Sequence, residues 1–233
     1  MRLKIAAAAL AAIVPLAGCA EVTGSAAPFK FAGVAPVAEP EPPMVPRLRW
    51  SHRDEGMEWT LATMNALAAQ GEVLDDIVPA DVDQWCPAYR EATGFERRAF
   101  WAGLISSLAW HESTHRPDAV GGGGKWYGLT QILPSTARGY GCAATTGDAL
   151  KDGSANLSCA VRIMARTVKR DGVIASGMRG VAADWGPFHS SKKREDMREW
   201  VSAQPYCQAP AETIMTKSPR PAAREFDEYA SLD

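Results

Sequence analysis

Between residues 54 and 203 the apolar positions recur at helical rather than strand spacing. Phe100, Leu104 and Leu108 fall every four residues with Trp101 and Ile105 beside them, and they predict a long helix over Glu96–Thr114. Trp59, Leu61, Met64, Leu67 and Ala68 predict another over Asp54–Ala69, closed by Gln70-Gly71. Further helices are expected over Pro134–Tyr140, Asn156–Arg170, Met178–Trp185 and Lys192–Ala203. Gly121 to Gly124 break the pattern, as either a lip over a groove or a flexible surface loop, and no alternating run predicts a strand of useful length. The expected fold class is mainly α: one helical domain over residues 75–208, preceded by a helical segment over residues 50–74 that packs on it or bridges to it. A domain of about 130 residues buries roughly 60–70% of its unfolded surface, enough for a single core.

The flanks follow other rules. Arg2 and Lys4, an apolar run from Ile5 to Leu16, then Ala17, Gly18 and Cys19 read as an export signal over residues 1–18, shorter than the ~20 apolar residues of a membrane-crossing helix. Leu16-Ala17-Gly18-Cys19 resembles the lipobox of bacterial lipoproteins. That resemblance implies lipidation of Cys19 and, since Ala20 rather than an aspartate follows, attachment to the periplasmic face of the outer membrane. Residues 19–49 hold Pro28, Pro36, Pro40, Pro42, Pro43 and Pro46 and read as a tether, and the polar residues 209–233 as a disordered tail.

Besides Cys19 there are four cysteines. An even number in an exported chain points to two disulfides, with Cys142–Cys159 closing a local loop and Cys86–Cys207 joining the ends of the domain. A formal net charge of −2 without a basic block argues against nucleic acid as a partner. Lys192, Lys193 and Arg194 are followed directly by Glu195 and Asp196 and read as a solvated helix start.

The chemistry concentrates at the end of the long helix. Glu112 continues the Phe100–Leu104–Leu108 stripe, so its carboxyl meets apolar neighbours. Burial disfavours the charged form and lifts the pKa above ~4.3, as a general acid near neutral pH requires. His111, Glu112 and His115 also satisfy the H-E-x-x-H zinc pattern. No third ligand follows, however. Arg116, Pro117 and Asp118 stand where an extension would lie, Pro117 disfavours helix at Arg116, and His52, His189, Glu195 and Glu199 carry no ligand pattern. No metal is expected; His111 is then a groove residue and His115 a surface one.

A longer pattern surrounds the same glutamate. Glu112-Ser113, with Pro117 four residues after Ser113, is followed by Gly128-Leu129-Thr130-Gln131-Ile132-Leu133-Pro134-Ser135-Thr136-Ala137. Next come Asn156-Leu157 with Ala160 and Ile163-Met164, and then Ala182-Ala183-Asp184-Trp185-Gly186-Pro187. Over roughly residues 99–200 this order resembles the soluble lytic transglycosylase (SLT) family. The resemblance implies a lysozyme-like helical domain, a groove for peptidoglycan glycan strands, and neither metal nor cofactor. It also implies a single acid/base, here Glu112, which protonates the bond between N-acetylmuramic acid and N-acetylglucosamine and then accepts the C6 hydroxyl proton to leave a 1,6-anhydro sugar.

By the same resemblance, Ser113 hydrogen-bonds near Glu112 or substrate, and Gln131 faces the sugar beside the cut. Two positions depart from the family. Thr130 replaces a methionine under the sugar, and Asp184-Trp185 replace a Tyr-Asn pair, leaving no equivalent of the tyrosine that holds the catalytic carboxyl. Asp184 is then placed to approach Glu112, and Trp126, Tyr127 and Trp185 to stack on sugars. A second carboxylate, Asp184 or Asp118, keeps a hydrolytic lysozyme-type reading open. Loss of the Tyr-Asn motif keeps open a non-catalytic peptidoglycan-binding lipoprotein.

Overall fold

The computed structural model describes residues 45–208; the expected export signal, Cys19, most of the expected tether and the residues after Gln208 lie outside the described residues. Six α-helices appear there: α1 Gly56–Ala69, α2 Val73–Asp76, α3 Gly94–Ser113, α4 Pro134–Tyr140, α5 Gly153–Asp171 and α6 Ser191–Ser202. The long helix α3 is the axis of the domain, with α1, α2, α5 and α6 packed around it. Thr93 caps it reciprocally: its Oγ1 accepts the Glu96 N–H at 3.3 Å, while the Glu96 carboxylate accepts the Thr93 N–H at 2.7 Å. The stripe Phe100, Leu104, Leu108, with Trp101 and Ile105, is fully buried. At about 1.5–3 kcal/mol per large apolar side chain, this helix anchors the core.

The segment before residue 75 belongs to the same core. Trp50, Trp59, Leu67 and Leu74 are buried with the α3 and α5 residues, α1 lies along α5, and the Trp50 indole donates to Thr60 at 2.9 Å. Both expected disulfides are present. Cys86–Cys207 spans a separation of 121 residues and Cys142–Cys159 one of 17, joining the end of α4 to α5. Bridges of this kind contribute roughly 2–4 kcal/mol each.

Two expectations need correction. The continuous helix read over Met178–Trp185 is instead a series of 3-10 turns, Ser176–Met178, Gly180–Ala183 and Gly186–His189. Gly177, Met178 and Gly180 have φ of 67°, 58° and 62°, and a left-handed residue cannot continue a right-handed helix. The buried carboxylate of Asp81 fixes this region by accepting the N–H groups of Ile174, Ala175 and Ser176 at 2.7–2.9 Å. The glycine run is the tip of a short antiparallel hairpin, β1 Val120–Gly121 with β2 Trp126–Tyr127. Gly122, Gly123 and Gly124 are all left-handed, and the Trp126 ring lies where a Gly122 side chain would begin, at 2.1 Å. Composition alone hides such a hairpin, because its strands are two residues long.

Candidate active site

The site is built on the last turn of α3. Helix geometry ends at Ser113; Thr114 and His115 turn left-handed with φ of 54° and 57°. The half-buried Glu112 thus stands at a helix end, with no hydrogen-bond partner among the described residues. Burial pushes its carboxyl up to about 7, opposed by the positive charge of Lys193 in the first turn of α6. No other charged group acts on it among the described residues.

The same turn disposes of the zinc pattern. His115 is completely buried, its Nε2 lying 2.9 Å from the Ser106 carbonyl and its ring among Trp50, His52 and Trp110. Burial lowers its pKa to about 4. His111 turns elsewhere: its Nε2 lies 2.6 Å from the carboxylate of Asp196, which also accepts from Arg49. The two imidazoles therefore point into different parts of the structure. The expectation that His115 is a surface residue is wrong because the left-handed turn folds it under the helix end.

On one side, Arg49 and Asp196 clamp α3 to α6: the guanidinium bonds both carboxylate oxygens, at 2.6 and 3.2 Å, and the Ser107 hydroxyl at 2.9 Å. On the other side stands Ser113. It is buried, and its hydroxyl donates to the Leu129 carbonyl at 2.9 Å and the Ala109 carbonyl at 3.1 Å. It positions the Leu129–Gln131 loop and does not face a groove, which corrects the substrate-facing role expected for it.

Thr130 needs the same correction. Thr130 is fully buried, its N–H and hydroxyl both donating to Asn156 Oδ1 at 2.9 and 2.7 Å. The Trp185 indole donates to the Thr130 carbonyl at 2.9 Å, so this ring braces the loop from beneath. Asn156 itself, fully buried, also donates to the carbonyls of Tyr127 and Leu150 at 3.0 and 2.9 Å. Its amide thus ties α5, the hairpin and the loop together. Gly128 passes so close, with φ of 81°, that a side chain there would begin 2.0 Å from the Leu150 carbonyl oxygen.

Gln131 is half-buried, with φ of 50°, its amide nitrogen donating to the carbonyls of Ala119 and Gly128 at 3.1 and 2.9 Å. It lines a cleft of about 90 Å³ with Trp126, Asp184, Trp185 and Thr136. Trp126 is 45% exposed there and offers an open ring face. Tyr127 is half-buried, its hydroxyl donating to the Gly124 carbonyl at 2.7 Å and its ring facing Lys151 at 5.9 Å. Asp184 does not approach Glu112. It is exposed and accepts from the Tyr140 hydroxyl at 3.2 Å; partial burial raises its pKa, and Tyr140 and Arg170 oppose the rise. Asp118 is also exposed.

The sequence reading passed over Lys193, read as solvated helix start, and the Arg49–Asp196–His111 clamp. No local signal marks either, since both arise from α6 packing on α3. Asn156 was visible only through the family resemblance.

Fold and site define a class: a lysozyme-like helical domain with one half-buried carboxyl at the end of its long helix. Comparison with known proteins narrows it. The model of the transglycosylase SLT domain matches residues 93–183, from the cap of α3 to the residue before Asp184. Two glutamate-to-glutamine mutant structures of Bd0314 DslA are similar, one at 29% identity and a TM-score of 0.63, covering 69% of this chain and 97% of that one. The other stands at 28% and 0.64, covering 71% and 100%. The wild-type form 2 of the same protein stands at 28% and 0.60. No curated protein matches the sequence. Residues 93–183 thus resemble a transglycosylase SLT domain, and the described fold resembles that of Bd0314 DslA.

Proposed function

We propose that the chain is a peptidoglycan lytic transglycosylase that cleaves the bond between N-acetylmuramic acid and N-acetylglucosamine without water. The observation that carries the reading is the isolation of Glu112: one half-buried carboxyl, raised to about 7, with no second carboxylate acting on it. Near neutral pH such a group donates a proton readily and, once ionised, takes one back. A two-carboxylate hydrolase needs a partner about 5–9.5 Å away to act as nucleophile or water base. Asp184 is bonded to Tyr140 instead, and no carboxylate contributes to the Glu112 shift.

In this mechanism Glu112 protonates the glycosidic oxygen as the bond to muramic acid C1 breaks. The substrate's acetamido group supports the cationic carbon, and the Glu112 carboxylate then takes the proton of the C6 hydroxyl as that oxygen closes on C1. Proton and charge balance, and the acid is restored. Gln131 and Trp126 line the sugar cleft; Asn156, Thr130, Ser113 and Trp185 hold that wall in place. The export signal and lipobox extend the proposal to the cell envelope, with lipidated Cys19 at the outer membrane and glycan strands as the partner.

The test is mass spectrometry of fragments released from purified peptidoglycan by the full chain and by Glu112→Gln, together with the intact mass of the membrane-extracted protein. Anhydro-muramic ends from the first and none from the second are expected, with a lipid adduct on Cys19. Reducing ends that have gained water would instead mean a lysozyme, and no fragments from either a binding protein.

A further inference from the structure

Away from Glu112, the outer face of α5 carries Arg162, Arg166, Lys169 and Arg170, spaced so that Arg166 has a cation three or four residues away in both directions. Like charges at this spacing cost a few tenths of a kcal/mol per pair, and a stable surface normally dilutes them with carboxylates. Here only Arg170 has a partner, Asp171 at 2.7 Å. Arg162, Arg166 and Lys169 form no ion pair or hydrogen bond among the described residues. The four cations wall a pocket of about 410 Å³ whose other lining is Gln70, Val73 and Ala165.

Its place in the fold matters. Asp171 also accepts the Gly180 N–H at 2.7 Å, which joins this end of α5 to the turn that leads into Asp184. Asp184 and its Tyr140 partner stand at the end of the Gln131–Trp126 cleft, and Arg170 and Arg166 act on Tyr140. Two of the cations that wall the pocket, Arg166 and Arg170, thus act on the partner of Asp184, which itself lines the cleft.

We propose that this pocket binds the carboxylates of the peptide stems carried by the glycan strand that lies in the cleft, making it a second, peptide-reading site; the inference rests on the function proposed above. Guanidinium forks match carboxylates in geometry, and the apolar floor of Val73 and Ala165 suits the methyl groups of an alanine-rich stem. A bare phosphate would make no use of that floor.

The experiment uses labelled glycan oligomers with and without stems, bound to the full-length Glu112→Gln protein so that no cutting occurs. Stems are expected to tighten binding about tenfold, a gain that weakens with salt and is lost in Arg162→Gln/Arg166→Gln while stem-free affinity is unchanged. Equal affinity for both oligomers, or a gain that survives the double substitution, would overturn the proposal. If neither oligomer binds, the glycan reading fails by itself, and titration of the free stem tetrapeptide, followed by chemical shifts on α5, decides this site separately. Binding of phosphatidylglycerol vesicles that the double substitution abolishes, with no response to stems, would reassign the pocket to the membrane and overturn the proposal.

Discussion

Glu112, the candidate acid, and Asp184, a carboxyl that lines the cleft, are set apart by their surroundings. Glu112 ends a buried apolar stripe, has no hydrogen-bond donor among the described residues, and is driven up to about 7 by burial. Asp184 is exposed and accepts from Tyr140, whose bond offsets part of the rise that burial causes. The lesson is that the helix beneath the residue makes the acid, whatever the number of carboxylates nearby. Replacing each in turn tests this most strongly. Glu112→Gln is expected to cut glycan cleavage by about 10²–10⁴-fold, the usual worth of a positioned acid/base, and Asp184→Asn by no more than about threefold, both read as initial rates on purified peptidoglycan. A larger loss from Asp184→Asn would make the two carboxyls a pair and revive hydrolysis.

The wall that separates the two environments hangs on Asn156. Asn156→Ala would leave the Thr130 N–H and hydroxyl and the Leu150 carbonyl buried without this partner, while the Tyr127 carbonyl keeps the Ile132 N–H. At about 1–3 kcal/mol for each unmet group, a loss of roughly 3–5 kcal/mol is expected, measured as a fall in the denaturant midpoint. A loss below 1 kcal/mol would mean that the loop rests on Trp185 and Ser113 alone.

Much of this was legible in advance, for physical reasons that can be named. The α3 stripe announced itself because Phe100, Leu104 and Leu108 repeat at the helical period over more than two turns, and Glu112 followed by continuation of that stripe. The cysteine pairs were legible because four thiols admit only about three pairings, and the two chosen close a local loop and join the domain ends. What stayed hidden depends on backbone sign or on packing between distant segments. The left-handed turn at Thr114 and His115, which buries a histidine that looked superficial, involves neither Gly nor Asn to signal it. The inward turn of Thr130 follows from Asn156, 26 residues beyond it, and the Trp185 bond to the Thr130 carbonyl from a residue 55 positions away. The 3-10 turns over residues 176–189 are apolar enough to read as a helix, and only Gly177 and Gly180 hint otherwise.

The raised carboxyl also carries a stability signature. A group held at about 7 in the folded state and near 4.5 when unfolded binds more proton folded than unfolded between those values, so stability falls as pH rises from 4.5 through 7. Glu112→Gln removes that dependence. The variant is expected to gain on the order of 1–3 kcal/mol over the parent at pH 8 and little at pH 4, compared by thermal unfolding at both. An equal effect at both pH values would mean that the carboxyl is not desolvated in the folded protein.

The smallest expected effect is the most specific to this chain. Lys193 opposes the burial that raises Glu112, and it reaches the site because Asp196, three residues along α6, is bonded to His111 and Arg49 on the other side. Removing its charge leaves burial unopposed, so the Glu112 pKa should rise further. Since the protonated carboxyl starts the reaction, the alkaline limb of the kcat/KM profile should move to higher pH in Lys193→Met and return in Lys193→Arg, while the acid limb stays. A profile unchanged by Lys193→Met would show that this ammonium is screened by water at the mouth of the cleft, and that burial alone sets the acid. A fall in rate without any shift of the limb would instead assign Lys193 to holding the substrate.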